Sequence, residues 1–411
     1  MTQSRKNFLW NTLGNVFYLA IQWLITVLTA RFYGYGDAGV LSLAMSISAT
    51  FQMIAYFGIR NFQISDIDNK YEDSCYIGLR GITCIISEIA CVIFLFLNHY
   101  NAQQFWTIIW FMLFRLSESY SEVFHGVAQK YGRLDIAGKL FALKGFFIFL
   151  AFISSYLLGA DMCVNIFIIA IISCTLTVLV DIMWIRKITS LHFFYNIKKC
   201  ILLGLKTLPL CVYLFMNSTI STVPKYFLER ICDETVLGAY SSIFAPAVIL
   251  QAAALYVYTP FIPSFAEKYA DNDSKGFIDL ACKIIAVLVL LIIAAIIVAA
   301  LCGDFVLSLV FGETILDFTY LLIPTIVATF FIAFSSFVCM LETVTRDFKN
   351  LIIGNVISFV GTTISSFFLI NSIGPNGASY GMMIGALTGI AYMSFAIMIN
   401  LNRKNSATHL T

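Results

Sequence analysis

Twelve apolar runs, each 20–26 residues long and separated by short polar connections, dominate this sequence: 8–30, 38–58, 76–97, 104–125, 140–159, 162–185, 203–224, 237–262, 279–302, 317–341, 351–371 and 377–400. An α-helix needs about 20 apolar residues to cross hydrocarbon, and slightly more when tilted. In lipid every backbone N–H and C=O must be satisfied within the protein, so runs of this length predict spanning helices. Only 12% of the 411 residues are charged, about half the share of a soluble domain. The expectation is an all-α integral membrane protein of about 12 transmembrane helices, with no chain left over for a soluble domain.

Lysine and arginine fix the expected orientation, because cytoplasmic loops collect them. With the N-terminus in the cytoplasm, 21 of the 25 basic residues fall in inside loops or adjoining span ends, and three (Arg31, Lys225 and Arg230) fall outside. Arg115 alone is placed deep within a span. The bias supports an even number of crossings and both termini in the cytoplasm. Arg5 and Lys6 precede a first run too long for a signal-peptide core, so that run is read as a retained span.

A weak repeat at an offset of 199 relates Arg31 to Arg230, Gly39 to Gly238, Ser42 to Ser241 and Gln52 to Gln251. It predicts two six-helix bundles, residues 1–200 and 201–411, as parallel repeats about an axis normal to the membrane. The longest outside loop is expected at 303–316, and the longest inside loops at 59–75 and 186–202.

Several chemistries have no signature here. There is no P-loop, no GxSxG and no CxxC, and the four histidines lack metal-ligand spacing. No catalytic residue, metal, cofactor or nucleic-acid partner is expected. The 11 cysteines are read as small apolar fillers.

Charges inside the bilayer cost roughly 2.5–3.5 kcal/mol each, so they mark a partner or a wet cavity. Glu88 and Arg115 lie mid-span in neighbouring antiparallel helices and are expected to approach each other. Arg115, Glu118 and Glu122, spaced i, i+3 and i+7, share one helix face. That face is expected to line a passage, with Glu88, Glu118 and Glu122 as lumen or proton-coupling carboxylates. Asp181 is read as interfacial. Arg31, Lys225 and Arg230, the exceptions to the charge rule, are candidates for meeting an anionic headgroup.

Local patterns then combine. Phe32-Tyr33-Gly34-Tyr35-Gly36-Asp37-Ala38-Gly39 joins the first two spans, and Tyr56-Phe57-Gly58-Ile59-Arg60-Asn61-Phe62-Gln63 closes the second. Gln129-Lys130-Tyr131-Gly132-Arg133-Leu134-Asp135 follows the fourth, and Val223-Pro224-Lys225-Tyr226-Phe227-Leu228-Glu229 leads to Leu237-Gly238-Ala239-Tyr240. Together with twelve spans they resemble the Wzx-type O-antigen and polysaccharide flippases of the multidrug/oligosaccharidyl-lipid/polysaccharide (MOP) exporter superfamily.

The resemblance implies two six-helix bundles around a central cavity, as in MATE-like transporters, in a bacterial inner membrane. It implies an undecaprenyl-diphosphate-linked oligosaccharide as cargo, moved to the periplasmic leaflet during O-antigen and lipopolysaccharide biosynthesis. An O-antigen polymerase and a chain-length regulator are the implied partners, besides membrane lipids. The residues suit such cargo: Arg115, Arg31, Lys225 and Arg230 for the diphosphate, and Trp106, Trp110, Tyr120 and Tyr213 as walls for sugars. Two alternatives are weighed. A cation-coupled multidrug exporter of the same superfamily often carries a carboxylate in its first span, where this chain has Asn11, Asn15 and Gln22 instead. An O-antigen polymerase-like enzyme usually carries a large periplasmic loop, which this chain lacks.

Overall fold

The computed structural model describes residues 3–65, 71–188 and 197–408; Lys70, His192 and His409 lie outside them. Among the described residues there is no strand. The helices are α1 Gln3–Phe32, α2 Gly34–Tyr56, α3 Ile59–Ser65, α4 Asp73–Leu97, α5 Ala102–Lys130 and α6 Leu134–Leu157. There follow α7 Met162–Leu176, a π-helical turn Thr177–Asp181, α8 Ile182–Ile185, α9 Ile197–Ile231, α10 Glu234–Tyr258 and α11 Ile262–Ala270. The chain ends with α12 Ser274–Phe311, α13 Leu322–Thr345, α14 Phe348–Ile373 and α15 Asn376–Thr408.

Among the described residues, eleven helical stretches are long and apolar enough to cross a membrane. The twelfth is α5, 29 residues long but loaded with Arg115, Glu118, Glu122 and several serines. Two cysteines show that it crosses. Cys75 opens α4 and Cys200 opens α9, and their sulfurs lie 3.2 Å apart. Between them the chain runs through α4, α5, α6 and α7–α8. Only an even number of crossings returns it to the same side, so α5 is a span and the described residues hold twelve membrane-length helices.

Helix α12 extends furthest beyond what its apolar run alone predicts. The expected loop 303–316 is mostly helix: α12 continues to Phe311, and a 3-10 segment Glu313–Leu321 leads into α13. At 1.5 Å per residue, 38 residues span about 57 Å, far more than hydrocarbon requires. Hydropathy marks where lipid ends and gives no signal where the helix ends. For the same reason the short helices α3 and α11 were not visible as apolar runs.

The chain divides into two compact units, 1–218 and 219–411, and the division falls inside α9, not at residue 200. The first half of α9 belongs with unit 1: Cys200 and Leu203 are fully buried in a cluster with Cys75, Tyr76, Leu79, Phe124 and Val127.

Within unit 1 the two helix ends are distinct. At one end Asn7 donates to Gly132 O at 2.7 Å, Tyr131 reaches Asp73, and Lys206 donates to the Tyr71 hydroxyl at 3.0 Å. At the other, Tyr33 donates to Ala160 O at 3.1 Å and Gln103 donates to Asp37 at 2.6 Å. Helices α1 and α6 touch backbone to backbone because Gly14 and Gly138 face each other; a Cβ on either would overlap the other helix's main chain. Such close approach is how membrane helices gain packing energy without a hydrophobic effect between them.

Arg31 and Arg230 are each the penultimate residue of the helix that precedes a short turn. As α2 packs on α4 and α5, so α10 packs on α12 and α13; as α6 packs on α7, so α14 packs on α15. The α14–α15 seam is the tightest, with Gly377, Gly381, Gly385 and Gly389 set against Leu369, Ser366, Thr362 and Ser358.

Candidate functional site

The polar interior of unit 1 is built on α5. Its residues Arg115, Glu118 and Glu122 do share a face. Arg115 Nη1 donates to Glu118 Oε2 at 2.7 Å. The other carboxylate oxygen, Oε1, accepts from Gln22 Nε2 at 2.6 Å and from the Tyr18 hydroxyl, both on α1. Tyr18 and Gln22 are four residues apart, one helical turn, so both point at the same carboxylate. The guanidinium lies over Phe111 and Phe114, 5.2 and 5.8 Å from their ring centres. Arg115 Nε has no hydrogen-bond partner. A hollow of about 30 Å³, room for about one water, is lined by Arg115 together with Gln22, Thr26, Leu41, Met45 and Ile166 among others.

One turn further along α5, Glu122 Oε2 accepts from Arg80 Nη2 at 2.6 Å. Arg80 also donates to the carbonyl of Ala55, near the C-terminus of α2, where Thr83 donates too, at 2.9 Å. A cation there answers the partial negative charge of a helix end. Gln52 of α2 ties the two pairs together, reaching the Tyr56 hydroxyl at 3.0 Å and the Arg115 carbonyl at 3.1 Å, while Arg80 stacks on Tyr56 at 5.5 Å. The outcome is a strip of two Arg–Glu pairs held by α1, α2 and α4. The Arg80 side chain is fully buried, and the Glu122 side chain is 23% exposed.

Arg115 therefore pairs with Glu118, its own helix neighbour, and not with Glu88. Glu88 is half-buried and its Oε2 has no hydrogen-bond partner. The face of α4 turned inward is that of Arg80, Thr83 and Ser87; Glu88 sits one residue, about 100°, around from it. Nor is Arg115 the sole cation deep in a span. Arg80 and Lys144 are also buried, and Asp181, expected at the interface, is fully buried and pairs with Lys144 at 2.7 Å. The signal for these was present in the sequence as charges at span ends, but proximity to a loop made a solvated reading natural.

The proposed aromatic walls do not all join the strip. Trp106 and Trp110 stack at 5.8 Å, and Trp110 leans on Phe167 of α7. They lie nine and five residues before Arg115, on the opposite side of α5. Tyr120 packs on Phe124.

The outer cations are placed separately. Arg31, at the end of α1, is exposed. In unit 2 Lys225 lies 4.3 Å from the Phe244 ring centre, and Arg230 approaches Glu229 at 3.4 Å and stacks on Tyr226. An apolar groove of about 370 Å³ runs along α12, where Ala294, Ala299 and Gly303 face Pro246 and Ile326. Its lining carries no charged side chain. Among the described residues no group of three or more His, Cys, Asp or Glu side chains could hold a metal.

No protein-family description matches the sequence. It is similar to the capsular polysaccharide biosynthesis protein CapF of Staphylococcus aureus, 24% identical over 311 residues that cover 75% of this chain and 77% of that one. Among solved structures it is similar to the lipid II flippase MurJ in an inward closed conformation, with a TM-score of 0.73 at 13% identity over 96% of this chain and 89% of that one. An inward-facing multidrug resistance MATE family transporter of the MOP superfamily gives 0.69 at 11% identity, over 98% and 99% of the two chains. The MATE transporter VcmN of Vibrio cholerae in its bent form gives 0.59 at 12% identity, over 98% of each. The chain thus has the fold of MOP-superfamily flippases and transporters and is a multi-pass membrane protein. These solved neighbours are a flippase and transporters.

Proposed function

We propose that this chain, with its MOP-exporter fold, is a flippase for an undecaprenyl-diphosphate-linked oligosaccharide. It carries the repeat unit from the cytoplasmic to the periplasmic leaflet of a bacterial inner membrane by alternating access, for O-antigen or related surface polysaccharide. The observation that carries this reading is the Arg115–Glu118–Tyr18–Gln22 constellation, an intramembrane guanidinium with one uncommitted N–H beside a hollow. A diphosphate suits a guanidinium, which offers planar paired donors. The lipid tail stays in the bilayer, so only the headgroup needs a polar path. The resemblance to CapF supports a polysaccharide cargo.

Arg115 is the principal diphosphate contact in this reading, and Arg31, Lys225 and Arg230 meet the headgroup toward the outer leaflet. Glu118 serves as the exchangeable counter-ion of Arg115, with Glu122 and Glu88 as further lumen carboxylates. Both termini are cytoplasmic, and a polymerase and a chain-length regulator act on the product. The membrane potential, negative inside, assists outward movement of an anion by roughly 2.3 kcal/mol per charge per 100 mV.

The test is flipping of a lipid-linked oligosaccharide in proteoliposomes with an imposed potential or pH gradient. Acceleration by either supports the reading. Headgroups that cross no faster than in protein-free vesicles, under any gradient, would refute it. A multidrug exporter is the competing outcome, and transport of lipophilic cations without lipid-linked sugar would establish it.

A further inference from the structure

Behind the Arg–Glu strip, α5, α6 and the α7–α8 stretch enclose a second charge. Lys144 of α6 donates to Asp181 Oδ2 at 2.7 Å, to Thr177 Oγ1 at 2.9 Å and to Ser121 Oγ of α5. All three ammonium protons are used inside the protein. The side chains of Lys144 and Asp181 are 3% and 0% exposed. Asp181 Oδ1 is buried and has no hydrogen-bond partner. The backbone is adapted to this point: Thr177–Asp181 is a π-helical turn, which widens the helix and sets both residues toward Lys144. Ser117 and Ser173 bond to each other at 2.5 Å one turn away, continuing the polar seam.

A carboxylate and two hydroxyls converging on one point form a donor set for a hard cation. Here the point is filled by an ammonium on a flexible four-carbon stem. We propose that Lys144 is a tethered occupant of a monovalent-cation site made by Ser121, Thr177 and Asp181. The chain carries its own counter-ion where a mobile one would otherwise bind. An ion that drives transport must enter and leave, and an ammonium anchored to α6 does neither. Asp181 is thereby withdrawn from ion exchange, so any coupling falls to other carboxylates or to the membrane potential. A plain structural ion pair would join α6 to α7–α8 just as well, but it makes no demand that a free cation fit the same cage.

That demand is testable without any transport assay. Lys144→Ala removes the ammonium and leaves the three oxygens. The full-length wild type and K144A, purified in detergent, are melted in choline chloride, NaCl and KCl at constant ionic strength. K144A should melt below the wild type in choline and regain about 3–5 °C in saturating Na+ or K+, by mass action on the folded state. The wild type should not respond, nor should K144A/D181A, which lacks the carboxylate. Equal melting temperatures of K144A in all three salts would overturn the proposal. If K144A is not recovered from choline, recovery of K144S only with Na+ or K+ present supports it. Equal failure of both variants in every salt, beside a well-folded apolar pair K144M/D181L, overturns it.

Discussion

Cys75 and Cys200 stand 125 residues apart in sequence, yet their sulfurs approach to 3.2 Å. The contact joins the first turns of α4 and α9 and so fixes the parity of every crossing between them. A variant that keeps these two cysteines and loses the other nine should cross-link with a membrane-permeant thiol oxidant. Cleavage of the chain between the two positions then leaves the fragments joined until reduction. Labelling of the 59–75 and 186–202 connections from opposite sides of the membrane would contradict the topology.

Arg80 and Glu122 should differ in sensitivity. Removing one partner of a buried ion pair strands the other charge, at about 3–5 kcal/mol in full burial. Arg80 is fully buried, whereas Glu122 retains some exposure. Glu122→Gln should therefore lower the melting temperature markedly because it leaves Arg80 unpaired, while Arg80→Met leaves Glu122 able to hydrate and lowers it less. Equal losses, or none, measured by thermal unfolding in detergent would count against the burial of Arg80.

The α14–α15 seam has no spare volume. A Cβ on Gly385 would overlap Thr362, including its main chain, whereas one on Gly36 would meet nothing within 4 Å. Gly385→Leu is expected to abolish recovery of folded protein, and Gly36→Ala to leave it unchanged, as read by size-exclusion of the detergent-solubilised chain.

Asp347, in the connection between α13 and α14, carries a pH dependence of known sign. Burial pushes its carboxyl up. Hydrogen bonds from Asn400 at 2.5 Å and from the Asn350 backbone and side chain, with Lys349 near, together outweigh burial and hold it below the ordinary carboxylate range. A depressed value in the folded state means the contribution is fully present above the unfolded carboxylate range and is lost as pH falls toward the folded one. The melting temperatures of the wild type and Asp347→Asn should thus differ at neutral pH and converge in acid. A gap that widens in acid would reverse the sign.

Much of this architecture was legible because lipid imposes length and polarity on each span. The face shared by Arg115, Glu118 and Glu122 followed from spacing alone. Their partners did not, because they come from other helices: Tyr18 and Gln22 lie about 100 residues before Glu118. Gln22, a polar residue in an apolar run, was the available hint. Arg80 and Lys144 sit deeper than their apolar runs suggest because α4 and α6 begin earlier, at Asp73 and Leu134. The helix of Asp181 ends at Ile185 with its run, and that carboxylate is buried through its pairing with Lys144, a partner from another helix. The Cys75–Cys200 contact carries no sequence signature at all.

The central claim is that the guanidinium of Arg115 handles an anionic lipid headgroup, and the most direct measurement is the initial rate of lipid-linked oligosaccharide flipping in proteoliposomes. Wild type, Arg115→Ala, Arg115→Lys and Lys283→Ala are compared at equal reconstituted amounts; Lys283 is 71% exposed on α12 and serves as the surface control. The account predicts a loss of at least about tenfold for Arg115→Ala, equivalent to about 1.4 kcal/mol, a partial loss for Arg115→Lys, and wild-type flipping for Lys283→Ala. Flipping by a correctly folded Arg115→Ala at the wild-type rate would contradict it.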